Sequence, residues 1–169
     1  ANHLLFLAQL KIHGAPLLPS LPRLRGATNL LDESEEMFWL EMTWTELCEL
    51  DRQHTIVLLP VGAIEAHGPH LPLGTDGILA EAMVRRTCQL LPEHGYQGLI
   101  LPTQHWTFAG FAQDFPGTLS FASNGMEQWL RQLTAQLAHQ GFRYLAVANA
   151  HLDPGHLAGL EAGLQGAPL

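Results

Sequence analysis

Glu65, His67 and Asp76 crowd into the stretch Glu65-Ala66-His67-Gly68-Pro69-His70-Leu71-Pro72-Leu73-Gly74-Thr75-Asp76, and His151 and Asp153 stand one residue apart further along the chain. Carboxylate oxygen and imidazole nitrogen are donors that a catalytic zinc or manganese favours. In extended backbone, residues i and i+2 point the same way. Each of the pairs Glu65/His67 and His151/Asp153 can therefore offer two donors to one place. Asp76 adds a carboxylate whose two oxygens can bridge two ions, so the donor count suits a binuclear centre. Bound cations of this kind can lower the pKa of water towards neutrality and polarise a carbonyl.

Plainer roles compete with this one. Asp76 stands just before a predicted helix, and Asp153 precedes Pro154 at a first helical position, so either can be an N-cap. His151 alone can be a strand-end histidine bonded to backbone. Glu65 and His67 are harder to dismiss, since a Gly/Pro loop needs neither. His54, His94 and His139 read as surface residues. His70, His105 and His156 read first as ordinary loop or cap residues, with support of the ligands or contact with substrate as the alternative. No G-x-S-x-G, phosphate loop or dinucleotide fingerprint is present, and neither cysteine has a histidine nearby in sequence.

The elements that would position these residues alternate. Thr43-Trp44-Thr45-Glu46 is a capping box opening a helix through Leu50. Thr55–Leu59 reads as a buried strand, Gly77–Leu91 as a helix and Leu99–Pro102 as a second buried strand. Gln104–Thr118 reads as a long loop. A capped helix is expected from Asn124 to Gly141, a third strand over Tyr144–Ala148 and a last helix over Pro154–Leu164. Strand and helix in alternation predict an α/β fold with a parallel sheet, whose strand ends carry the chemistry. Residues 1–36, rich in proline, read as a loosely ordered N-terminal extension ahead of an α/β domain over 37–169, with Met37 a candidate natural start.

The totals bound the function. The 169 residues suit one domain, 47% hydrophobic and 14% charged. A net charge of −8 argues against nucleic acid as a partner, and no apolar run is long enough to cross a membrane. Cys48 and Cys88 read as reduced, buried thiols of a cytoplasmic protein.

Leu59-Pro60-Val61-Gly62-Ala63-Ile64-Glu65-Ala66-His67-Gly68-Pro69-His70-Leu71-Pro72-Leu73-Gly74-Thr75-Asp76 closely resembles the signature of the creatininase (creatinine amidohydrolase) family. Phe115-Pro116-Gly117-Thr118-Leu119-Ser120 resembles its second block and Asn149-Ala150-His151 its third, in the family's order. The resemblance implies a three-layer α/β/α sandwich with a mainly parallel sheet, C-terminally truncated here, and two divalent metal ions, zinc or manganese. It places Glu65, Asp76 and His151 on one ion and His67, Asp76 and Asp153 on the other. Asp153, a glutamate in creatininase itself, would also shuttle a proton; Glu161 is the other candidate carboxylate. The implied activity is hydrolysis of a non-peptide or cyclic amide C–N bond in a small molecule, by a homo-oligomer, often a hexamer. Ala150 replaces the family's usual glycine, and Phe111-Ala112 stand where many members have Glu-His, the second change pointing to a different substrate pocket. A formamide, a modified peptide or a cyclic ketone is the alternative substrate, and a non-catalytic metal-binding fragment the alternative role.

Overall fold

The computed structural model describes the backbone of Gln9–His13 and all of residues 36–169. Among the described residues, five strands form one sheet in the order β1-β5-β3-β4-β2. They are β1 Gln9–His13, β2 Met37–Phe38, β3 Thr55–Val61, β4 Gln97–Ile100 and β5 Tyr144–Asn149. β2, β3, β4 and β5 are parallel, and β1 lies antiparallel on β5. The helices are α1 Trp44–Glu49, α2 Thr75–Leu90, α3 Gly125–His139 and α4 Pro154–Leu164.

The strand pleat divides the core in two. On β3, Ile56 and Leu58 face Val84 and Cys88 of α2, while Val57, Leu59 and Val61 face the opposite side. There they meet Leu130 and Leu137 of α3 and Leu160 and Leu164 of α4. β5 alternates likewise, with Ala146 and Ala148 towards α2 and Leu145 and Val147 away from it. Each fully buried leucine, such as Leu58 or Leu145, contributes about 1.5–3 kcal/mol. The result is the expected α/β/α sandwich with a mainly parallel sheet, its covered strands reading as unbroken apolar runs because both faces are buried. Among the described residues, no helix is long and apolar enough to cross a membrane.

Most expected elements are present with shifted ends. The capping box at Thr43 is complete, with Glu46 N–H donating to Thr43 Oγ1 and Thr43 N–H to Glu46 Oε2. Three expectations need correction. Gln9–His13 falls in the supposed loose extension yet forms a strand, registered from Gln9↔Asn149 to His13↔Leu145; its partner is remote in sequence, so no local signal announces it. The rest of that extension, up to residue 35, lies outside the described residues. Asn124 makes no side-chain cap, since its backbone is already helical at φ −84° and ψ −4°. Cys48 is exposed on the short α1, whereas Cys88 is buried, and burial pushes its thiol up to about 12.

Candidate metal centre

The carboxyl ends of β3 and β5 lie side by side, registered through Val61↔Asn149. Glu65 and His67 leave β3 on a loop tied down from several sides. Glu65 N–H donates to Leu73 O at 3.0 Å, Ala66 N–H to Thr118 Oγ1 at 3.0 Å and Leu119 N–H to Ile64 O at 2.9 Å. Asp76 arrives on the first turn of α2. Gly62 permits that approach, because a Cβ there would stand 2.4 Å from Gly77 N and 2.5 Å from the Asp76 carbonyl carbon. His151 stands two residues past the end of β5.

Four of the five expected side chains converge. Asp76 Oδ1 lies 3.0 Å from His67 Nε2, and Asp76 Oδ2 lies 3.0 Å from His151 Nδ1. Glu65 Oε1 is 3.1 Å from His151 Nδ1 and 3.8 Å from His67 Nε2. Donor atoms of Glu65, His67 and Asp76 all lie within 4.8 Å of one another. The far nitrogen of each imidazole is tethered to backbone: His67 Nδ1–H donates to Glu65 O at 3.1 Å and His151 Nε2–H to Phe108 O at 2.9 Å. Such tethers fix the tautomer that aims a lone pair at a cation. Side-chain exposure falls from 22% at His67 through 15% at Glu65 to 5% at Asp76 and 3% at His151, so the group opens to solvent on the His67 side.

Asp153 behaves differently. It caps α4, with Oδ1 accepting from Gly155 N–H at 2.8 Å and Oδ2 from Phe111 N–H at 3.1 Å. No ion pair or hydrogen bond joins it to the other four among the described residues. Asp76, by contrast, is not the N-cap of α2; Gly74 is. Of the remaining histidines, His54, His70, His94 and His139 are exposed, as is Phe111. His105 packs over Gly77 with its Nδ1 buried and unpartnered.

The electrostatics demand positive charge. Burial alone would raise the Asp76 carboxyl, but the hydrogen bond from His151 and the charges of His151 and His67 hold it below the ordinary carboxylate range. Burial would lower His151, yet hydrogen bonds to Asp76 and Glu65 push it up to about 10. The Asp76 and Glu65 carboxylates thus converge on the His151 imidazole, at a spot where mixed O/N donors suit zinc or manganese. The residues fit a divalent cation.

Behind the centre, His156 is wholly buried, with Thr107 Oγ1 at 2.6 Å from Nδ1 and Asn149 Oδ1 at 2.9 Å from Nε2. Burial, then the neighbouring His151 charge, push it down to about 3, so it is neutral. Sequence reasoning gave Thr107 and Phe108 no role, and only the third block drew attention to Asn149.

The family profile described as Creatininase: Creatinine amidohydrolase matches residues 40–165. Creatinine amidohydrolase of Pseudomonas putida is 28% identical over 121 residues, covering 71% of this chain and 46% of that protein. Mycofactocin precursor peptide peptidase of Mycolicibacterium smegmatis is 36% identical over 73 residues, 43% of this chain and 30% of that one. The solved structure named Creatininase Mn superposes with a TM-score of 0.64 at 26% identity, covering 78% of this chain and 52% of that chain. A mutant creatininase of Zn-Zn type gives the same TM-score, 0.64. The chain therefore spans less than half the length of these curated relatives and about half that of the solved structures.

Proposed function

The chain belongs to the creatininase (creatinine amidohydrolase) family, and from that membership we propose that it is a metal-dependent hydrolase of a non-peptide or cyclic amide C–N bond. The observation that carries this reading is the Asp76 carboxylate, which sets one oxygen against His67 and the other against His151. Glu65, Asp76 and His151 would hold one divalent ion, and His67, Asp76 and Asp153 the other. When bound, the two ions supply an activated water near neutral pH and polarise the amide carbonyl.

The chain's own residues do the rest. Backbone tethers keep His67 and His151 in the binding tautomer, and burial of Asp76 and His151 strengthens every charge interaction on the inner side. Substrate enters from the exposed His67 side. Asp153 accepts from two backbone donors, and its remaining lone pairs would serve the second ion and take up the proton bound for the departing nitrogen. A homo-oligomer in the cytoplasm is part of the same reading.

The test is metal analysis joined to turnover. Dialysed protein should keep about two zinc or manganese ions per chain and hydrolyse at least one member of an amide and lactam panel. Metal-replete protein inert across the panel would overturn the hydrolase reading in favour of a metal-binding fragment. A modified peptide is the second substrate class. The 36% identity to the peptide peptidase favours it, as do the exposed Trp106, Phe111 and Phe115 on the long loop between β4 and α3; turnover of peptides but not lactams would select it.

A further inference from the structure

We propose that His156 is a positioning residue for His151, holding the Asn149 side-chain amide in the orientation that locks the His151 main chain. The proposal deepens the hydrolase reading and rests on it where ions are concerned. Asn149 brackets its neighbour: Nδ2–H donates to His151 O at 2.7 Å, and Oδ1 accepts His151 N–H at 3.2 Å. The same Oδ1 accepts Nε2–H of His156 at 2.9 Å, which leaves Nδ1 to accept the Thr107 hydroxyl at 2.6 Å. Each of these four hydrogen bonds pairs a donor with an acceptor in one consistent direction. Turning the amide over would set its NH2 against two N–H groups, and three hydrogen bonds would go with it.

His156 is unusual for its place. It lies fully buried on α4, where its buried companions Gly159, Leu160, Gly163 and Leu164 carry no polar side chain. Burying an imidazole there costs free energy unless both nitrogens are bonded, and an aliphatic side chain would pack without that cost. The His156 ring also backs the His151 ring, centroids 4.9 Å apart and planes tilted by 54°. The adjoining Phe108 carbonyl takes His151 Nε2–H, so Thr107 and Phe108 hold both histidines from one segment. A Cβ on Gly155 would stand 2.6 Å from the Phe108 ring, so that glycine lets the segment close in. What reaches the metal centre is the direction of His151 Nδ1 towards Glu65 and Asp76.

The experiment compares His156→Leu, His156→Gln and Thr107→Val by Mn2+ and Zn2+ affinity in chelator competition, nitrogen-15 NMR of the metal-free imidazoles, and thermal melting. His156→Leu should weaken ion binding about 10- to 100-fold and move the His151 nitrogen signals. His156→Gln, which keeps an N–H donor, should recover most of the affinity, and Thr107→Val should fall between. Wild-type affinity and unmoved His151 signals in His156→Leu would overturn the proposal, even with a lower melting temperature. So would a glutamine variant as impaired as the leucine one. Should His156→Leu not fold, the shift in Thr107→Val decides in the same way. Wild-type protein that binds neither ion would sink the hydrolase reading; the His151 signals of metal-free Thr107→Val would then decide this proposal, supporting it if they move and overturning it if they do not.

Discussion

Glu65/His67 and His151/Asp153 have the same spacing and sit past neighbouring parallel strands, yet only the first pair delivers both side chains to Asp76. The difference lies in the chain immediately downstream of each pair. After β3 the backbone runs through Gly62–Gly74 before α2 begins, and hydrogen bonds along that loop leave Glu65 and His67 free to face inward. After β5 the helix starts at Pro154, so Asp153 is its N-cap and both its oxygens meet backbone donors. An i, i+2 pair keeps its common direction only while neither member is claimed by a helix end.

That contrast can be broken outright by removing what both pairs share. Asp76→Asn should lower ion affinity at least about 100-fold, leaving dialysed protein essentially metal-free by elemental analysis. Retention of both ions would mean that Asp76 bridges nothing. Gly62→Ala comes next: the added methyl meets α2 backbone, which must shift and carry Asp76 away from both histidines. A loss of about 1–3 kcal/mol in denaturant unfolding, together with weaker ion binding, is expected.

Asp153 separates cap from ligand. Asparagine caps as well as aspartate, so Asp153→Asn should fold with near-unchanged stability while the ion count drops from two to one. Asp153→Ala should lose the ion and about 1 kcal/mol besides. Two ions retained in Asp153→Asn would leave this residue a cap alone.

The smallest effect is a pH slope in the metal-free chain. His151 is raised from 6.5 to about 10, so its stabilisation is whole below 6.5 and drains away as pH climbs to about 10. Asp76 is depressed, so its contribution holds above 3.8 and fades as pH falls further. Melting temperatures measured with chelator should therefore peak between about pH 4 and 6.5, and bound ions should flatten the alkaline side. A metal-free chain equally stable at pH 6 and 10 would contradict the convergence of Glu65 and Asp76 on His151.

The sequence exposed features whose causes are local. The Thr43 capping box, the α4 limits at Pro154 and Leu164 and the apolar run of β3 all arise from neighbouring residues. Features decided across the fold were hidden. β1 depends on β5, far along the chain, and the two-residue β2 is too short to carry a pattern. Asp76 and Asp153 looked alike as helix-start aspartates. Only the close approach of α2 to Gly62 turns Asp76 inward, and no local pattern encodes it. The roles of Thr107, Phe108 and His156 depend on a loop and a helix meeting behind β5.

The antiparallel strand on β5 has a practical consequence. β5 pairs with β3 on one side and β1 on the other. A chain begun at Met37 would keep the candidate metal ligands but strip that cover, baring a row of N–H and C=O groups beside apolar Leu145 and Val147. Such an unprotected margin is a template for strand pairing between molecules. Gln9–His13 thus covers the β5 edge, and a chain begun at Met37 is expected to show more self-association in light scattering.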